Sequence, residues 1–287
     1  MSRLFVGLSL ALIASVALNV SYLIQHAAAT HAPRVDIRRP LRTVAGLFSS
    51  PLWLAGGALG LLGWAMHIAA LTRAPISLVQ AFLVGGIALV APLAVHFLGH
   101  HLSRSEIAGV ILMGVALFAL TVGRGHVGLH SGFRARALGS YVIVSCVLAG
   151  ALLLTDAPRA QALGLAGGIL YGAADLSIKA LTGIGTDDGV TAVLRSPWLL
   201  AAAVTSIAAF FCFQRGLQSG NALPVIALMT AGTNVISIVG GLLVFGDPLG
   251  RRPPVIVLHL AAFVLVAVAA WLMAPAQAAM TTGPEGH

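Results

Sequence analysis

Nine apolar stretches follow one another along the chain, each bounded by charge or proline, at residues 4–24, 52–72, 77–98, 105–123, 137–155, 161–182, 197–215, 222–245 and 254–273. About 20 residues rising about 1.5 Å each cross the roughly 30 Å hydrocarbon core of a bilayer, so each stretch has the length of one crossing. Inside lipid the backbone can bond only to itself. No alternating barrel pattern is present, so the crossings are expected to be helices. Only 8% of the residues are charged, against about a quarter in a soluble domain. The chain is therefore expected to be an all-α, multi-pass integral protein of the inner cell membrane.

The net charge of +8 would suggest a nucleic-acid partner in a soluble domain. Here the arginines stand mostly between the apolar stretches, where they face lipid headgroups, and no nucleic acid is expected. Cys146 and Cys212 both lie inside apolar stretches, where packing is their expected role. The first stretch, followed by Ala27, Ala28 and Ala29, has the outline of a signal peptide. It is read as a membrane helix because an internal repeat needs it. Two longer connections, residues 25–51 and 124–136, are rich in arginine, and the polar tail after Pro275 is expected to be disordered.

The repeat emerges when the halves are laid side by side. Ser50, Pro51 and Trp53 open the second stretch as Ser196, Pro197 and Trp198 open the seventh, and Val79 matches Val225 at the same offset of 146. One residue later in register, Leu98, Gly99 and Leu102 match Phe245, Gly246 and Leu249. The expected organisation is a first repeat of four helices (residues 1–124), a bridging helix (125–160), and a second repeat of four helices with the tail (161–287). An odd number of crossings between the starts of the two units inverts the second against the first. Such inverted repeats let a carrier rock between two faces about a site at mid-depth. Positive charge does not orient the chain, because the two sides carry nine and seven Lys or Arg.

The sixth stretch holds the charges that most need explaining, Asp175 and Lys179, four residues apart. With Gly164, Gly168 and Gly172 they fall within an arc of about 80° on a helix. Glycines at that spacing admit a second helix closely, so the stripe is expected to face protein. Lys179 is placed near the interface, within reach of headgroups. The pair either neutralises itself at i, i+4, or Asp175 takes a proton or cation while Lys179 tunes it or meets an anionic group. Asn19-Val20-Ser21 aligns with Asp175-Leu176-Ser177 at an offset of 156, which makes Asn19 the expected counterpart of Asp175 across the inverted repeat.

Other polar groups inside the stretches complete the candidate pathway. Thr230, Thr233, Asn234 and Ser237 form one face of the eighth stretch. Trp64 and His67 share a face of the second, and Gln80 and Gln214 stand in the third and seventh. His96 and His100, and His126 and His130, have the i, i+4 spacing of metal ligands. No Cys or carboxylate completes either pair, so no metal site is expected. No Gly-x-Ser-x-Gly, HExxH or P-loop occurs. Neither an enzyme nor a cofactor is expected.

Several of these segments resemble a known group. SSPLWLAGGALGLLGWAMHIAALTRAPISLVQAF, residues 49–82, is similar to the second and third helices of the NIPA-type branch of the drug/metabolite transporter (EamA-like) superfamily. Residues 97–120, 175–181 and 196–200 resemble further parts of the same group. This chain departs from it at His100, where relatives carry an acid, and at Ala81, where they carry proline. The resemblance implies inverted helical repeats and movement of small solutes, with magnesium among the branch's activities. The expectation is alternating-access transport of a small metabolite or drug-like solute, driven by an ion gradient. Magnesium stands second and a non-transporting scaffold or partner subunit third. Expected partners are the lipid bilayer and the transported solute or cation, with a homodimer left open.

Overall fold

The computed structural model describes residues 3–29, 50–98, 103–122, 132–155, 157–219, 222–250, 252–273 and 275. Among them there are only helices and their connections, with no strand. In chain order the helices are α1 (Arg3–Ala29), α2 (Pro51–Leu71), α3 (Ile76–Leu98), α4 (Arg104–Thr121), α5 (Ala135–Leu152), α6 (Arg159–Asp187), α7 (Val190–Arg195), α8 (Pro197–Ser219), α9 (Ala222–Val244) and α10 (Pro253–Leu272). A helix stands at each of the nine apolar stretches, and α7 is a short addition that the apolar pattern does not announce. Four segments are long and apolar enough to cross a membrane, Arg3–Ser21, Leu54–Leu71, Ala135–Leu152 and Pro253–Leu272. Ile76–Gly86, Pro197–Phe213 and Leu228–Val244 are shorter apolar stretches. This is an all-α membrane protein.

The helix starts follow from local chemistry. Pro51 and Pro197 occupy first positions, where the missing N–H would have had no partner. Ser103 and Glu106 cap α4 reciprocally: the Ser103 N–H donates to Glu106 Oε2 at 2.6 Å, and the Glu106 N–H donates to Ser103 Oγ at 3.3 Å. That use explains why Glu106 is buried.

The packing has a recurring pattern. α1 lies against α2 and α3, α6 lies against α8 and α9, and α4 lies against α10. α3 and α9 meet in the middle, and α5 leans on α6 and α9, with the Tyr141 hydroxyl donating to the Ile236 carbonyl at 2.9 Å. One apolar core joins Ala11, Leu78, Met113, Leu176, Ile238 and Val266. Large apolar side chains such as Leu61, Phe118, Leu200, Leu243 and Trp271 point outward, as lipid requires.

The glycine stripe of α6 faces protein. A Cβ on Gly164 would stand 2.7 Å from the Val225 carbonyl oxygen, and one on Gly172 would stand 2.6 Å from Ile236 Cβ. The two helices touch backbone to backbone, which carries the next turn of α6, and Asp175 with it, into the interior.

Candidate functional site

Three helices converge on Asp175. Its Oδ2 accepts from Gln80 Nε2 of α3 at 2.7 Å and from Ser237 Oγ of α9 at 3.3 Å. Gln80 and Ser237 are almost wholly buried, whereas Asp175 is half-buried. Its second oxygen, Oδ1, accepts from no described residue and is not sealed from solvent. The site is therefore a carboxylate anchored on one side and open on the other.

Asn234 lies one turn before Ser237 on the same face of α9. Its Nδ2 donates to the Thr230 carbonyl at 2.6 Å, which fixes the amide's orientation because the reverse would set oxygen against oxygen. Asn234 Oδ1 is then left buried without a partner. Thr233 turns its hydroxyl to the Met229 carbonyl at 2.9 Å, and Thr230 is half-buried beside it.

Lys179 is neither paired with Asp175 at i, i+4 nor extended toward headgroups. It is 4% exposed, and its Nζ donates to the carbonyls of Leu71 and, at 3.1 Å, Ala74. The reason is that α6 runs beside the end of α2, whose last carbonyls lack helical partners and carry the negative end of the dipole. The opposite charge sits at the next helix start. Asp247, which the apolar-stretch reading passed over, accepts from the Ser77 N–H in the first turn of α3 at 2.7 Å. Its own N–H donates to the Gly241 carbonyl at 3.0 Å, and Gly241 needs to be glycine because a Cβ there would stand 2.6 Å from Asp247 Oδ2. Lys179 and Asp247 attract each other. Together they clamp residues 71–77, the turn between α2 and α3.

The other candidates scatter. Asn19 spends its amide on its own helix, donating to the Ser15 carbonyl at 2.8 Å. Ser177 is fully buried and donates to the Ala173 carbonyl at 3.0 Å, and Ser21 is buried in α1. His67 is buried with Nε2 unpartnered, on the face of α2 that Gly63 sets against α1. Trp64 is 48% exposed on the outer surface, away from any pathway. The side chain of Gln214 lies outside the described residues, as do those of His96, His100, His126 and His130. Gln80, Asp175 and Ser237 are thus gathered, with Asn234 one turn away on α9, and Trp64, His67 and Asn19 are not. The sequence signal that could have found Asp247 is the repeat register that sets Leu98 against Phe245, which also sets His100 against Asp247.

Residues 2–123 match the family model described as Magnesium transporter NIPA. An uncharacterized protein of Corynebacterium glutamicum is 24% identical over 229 residues, covering 78% of this chain and 79% of its own length. No solved structure matches significantly. The family match includes Gln80, Ser77 and the clamped turn, while Asp175, Lys179, Ser237 and Asp247 stand beyond it in sequence. Over α1 to α4, then, the chain matches the magnesium transporter NIPA family, the branch of the drug/metabolite transporter superfamily that its motifs resemble.

Proposed function

We propose that this protein is a carrier of magnesium or another divalent cation, moving it past Asp175 by alternating access between two inverted four-helix repeats. The observation that carries the reading is the Asp175 carboxylate, held by Gln80 and Ser237 on one oxygen while the other accepts from no described residue. A charge deep in a membrane helix is expensive, and one left half-open among helices of both halves is placed to meet a passing cation. The family match moves magnesium ahead of the small-solute expectation and favours a transporter over an enzyme. Support for related halves comes from the packing, in which α1 contacts α2 and α3 as α6 contacts α8 and α9. Nine crossings, an inner-membrane location and an ion gradient as driving force belong to this reading. No nucleotide-binding motif is present to supply energy.

The solute reading stays second on one observation: among the described residues a single carboxylate reaches this cluster, the fewest with which Mg²⁺ is usually bound. Uptake into proteoliposomes with an encapsulated magnesium indicator separates the cases. Saturable Mg²⁺ uptake that falls in Asp175→Asn supports the carrier reading. Solute uptake without Mg²⁺ uptake would return the small-solute reading to first place, and no flux of either kind would favour a scaffold.

A further inference from the structure

The Asp175 cluster and the clamp on the α2–α3 turn are built on the same three helices. Along α6, Lys179 follows Asp175 by four residues; along α3, Ser77 precedes Gln80 by three; along α9, Gly241 follows Ser237 by four. Each step is close to one helical turn, so the clamp lies about 5–6 Å beyond the cluster on every helix that forms it. Contacts within the clamp keep it at one level: Asp247 holds the Ser77 N–H, and a Cβ on Gly241 would stand 3.2 Å from the Ser77 nitrogen. The two layers differ in cover. Lys179, Ser77 and Asp247 are buried, and Leu71, Ala74 and Ile76 beside them are wholly so. Asp175 is half-buried, as are Thr233 and Thr230, which lead away from the clamp along α9. The site is thus sealed on the clamp side and less covered on the other.

Charge holds that seal. The polar contacts that tie residues 71–77 to α6 and to the end of α9 run through one ammonium, Lys179, and one carboxylate, Asp247. The ammonium also stands one turn from Asp175. Its attraction to that carboxylate keeps it in place while the carboxylate carries no cation. A divalent cation on Asp175 turns the neighbouring charge from negative to net positive, and between groups this close and this buried the change from attraction to repulsion is large.

Resting on the carrier reading above, we infer that Lys179 and Asp247 are the gate that shuts the Asp175 site toward the α2–α3 turn, and that a divalent cation at Asp175 opens it by driving Lys179 off the turn. Entry is from the less covered side and exit is past residues 71–77. Departure of the cation restores the negative charge of Asp175, which draws Lys179 back and closes the turn. Lys179 and Asp247 touch the turn rather than the cation, so they act as positioning residues.

The Ser77 amide reports on the gate directly, because its hydrogen is the one Asp247 holds. Amide hydrogen exchange of the full chain in nanodiscs, followed by mass spectrometry, reads it with and without Mg²⁺. Saturating Mg²⁺ is expected to speed exchange at Ser77 at least about tenfold, the factor carried by one hydrogen bond to a charged group, while the α6–α9 seam at Gly164 and Gly168 stays as it was. A clamp that only braced the fold would not respond to the cation. Asp175→Asn should abolish the response, and Asp247→Asn should exchange about fivefold faster at Ser77 with no Mg²⁺ present. Exchange at Ser77 that Mg²⁺ leaves unchanged or slows, in protein that takes up Mg²⁺ in proteoliposomes, would overturn the gate and leave the carrier reading standing. A response that survives in Asp175→Asn, or an Asp247→Asn turn as slow as that of the unaltered protein, would overturn it too. Absence of any Mg²⁺ uptake by the unaltered protein would overturn the carrier reading and the gate with it.

Discussion

Asn19 and Asp175, which the alignment of the two halves sets opposite each other, behave differently. Asn19 turns back on its own helix at Ser15, while Asp175 reaches across to α3 and α9. The same holds one step further along. Lys179 and Asp247 clamp the α2–α3 turn, whereas the repeat places Leu23 and His100 at the corresponding positions, without either charge pattern. The backbone arrangement recurs and the chemistry does not. If the halves are the inverted repeats proposed above, their charge is concentrated in one of them, and the two faces of such a carrier would close with different strengths.

The comparison breaks most readily at Lys179. Lys179→Met leaves two carbonyls and Asp247 without their cation and should lower stability by about 3 kcal/mol, read as an earlier unfolding midpoint in detergent. Leu23→Met should leave the midpoint unchanged, and equal losses would show the clamp to be unimportant. Next is Asp175→Asn, for which Mg²⁺ uptake is expected to drop about 100-fold, equivalent to about 2.7 kcal/mol, with the unfolding midpoint retained. Asn19→Ala should reduce uptake by less than about threefold, as a surface-type change that leaves the cluster intact would. If both variants lose flux alike, the halves contribute equally and the asymmetry is wrong. Asp247→Asn keeps an acceptor at the start of α3 but removes its charge from the dipole and from Lys179, and should cost about 1 kcal/mol. Smallest of all, Trp64→Leu should change stability by no more than about 0.5 kcal/mol and leave uptake as it was, because its ring lies on the outer surface.

The helices were legible because apolar length is a one-dimensional property, and each of the nine stretches corresponds to one helix. The glycine stripe was legible for a similar reason: Gly164, Gly168 and Gly172 share a face by spacing alone, and α9 fills it. Partners were not. Spacing puts Lys179 beside Asp175, but whether the ammonium turns to that carboxylate or to the end of α2 depends on a helix more than a hundred residues earlier. Trp64 shares a face with His67 only within the broad arc of a helix, and a fraction of a turn separates buried from exposed. Asp247 escaped because it lies just past an apolar stretch, where an acid looks like ordinary loop polarity. Its long-range bond to Ser77 is invisible in sequence.

The close seating of α6 on α9 also bears on motion. With main chain against main chain at Gly164 and Gly168, and Ile236 seated directly on Gly172, little side-chain volume lies between the two rods to let one rotate or slide past the other. They form a single beam. Any rocking would therefore carry this beam as one piece, and amide hydrogens along its inner seam should be among the slowest in the protein to exchange.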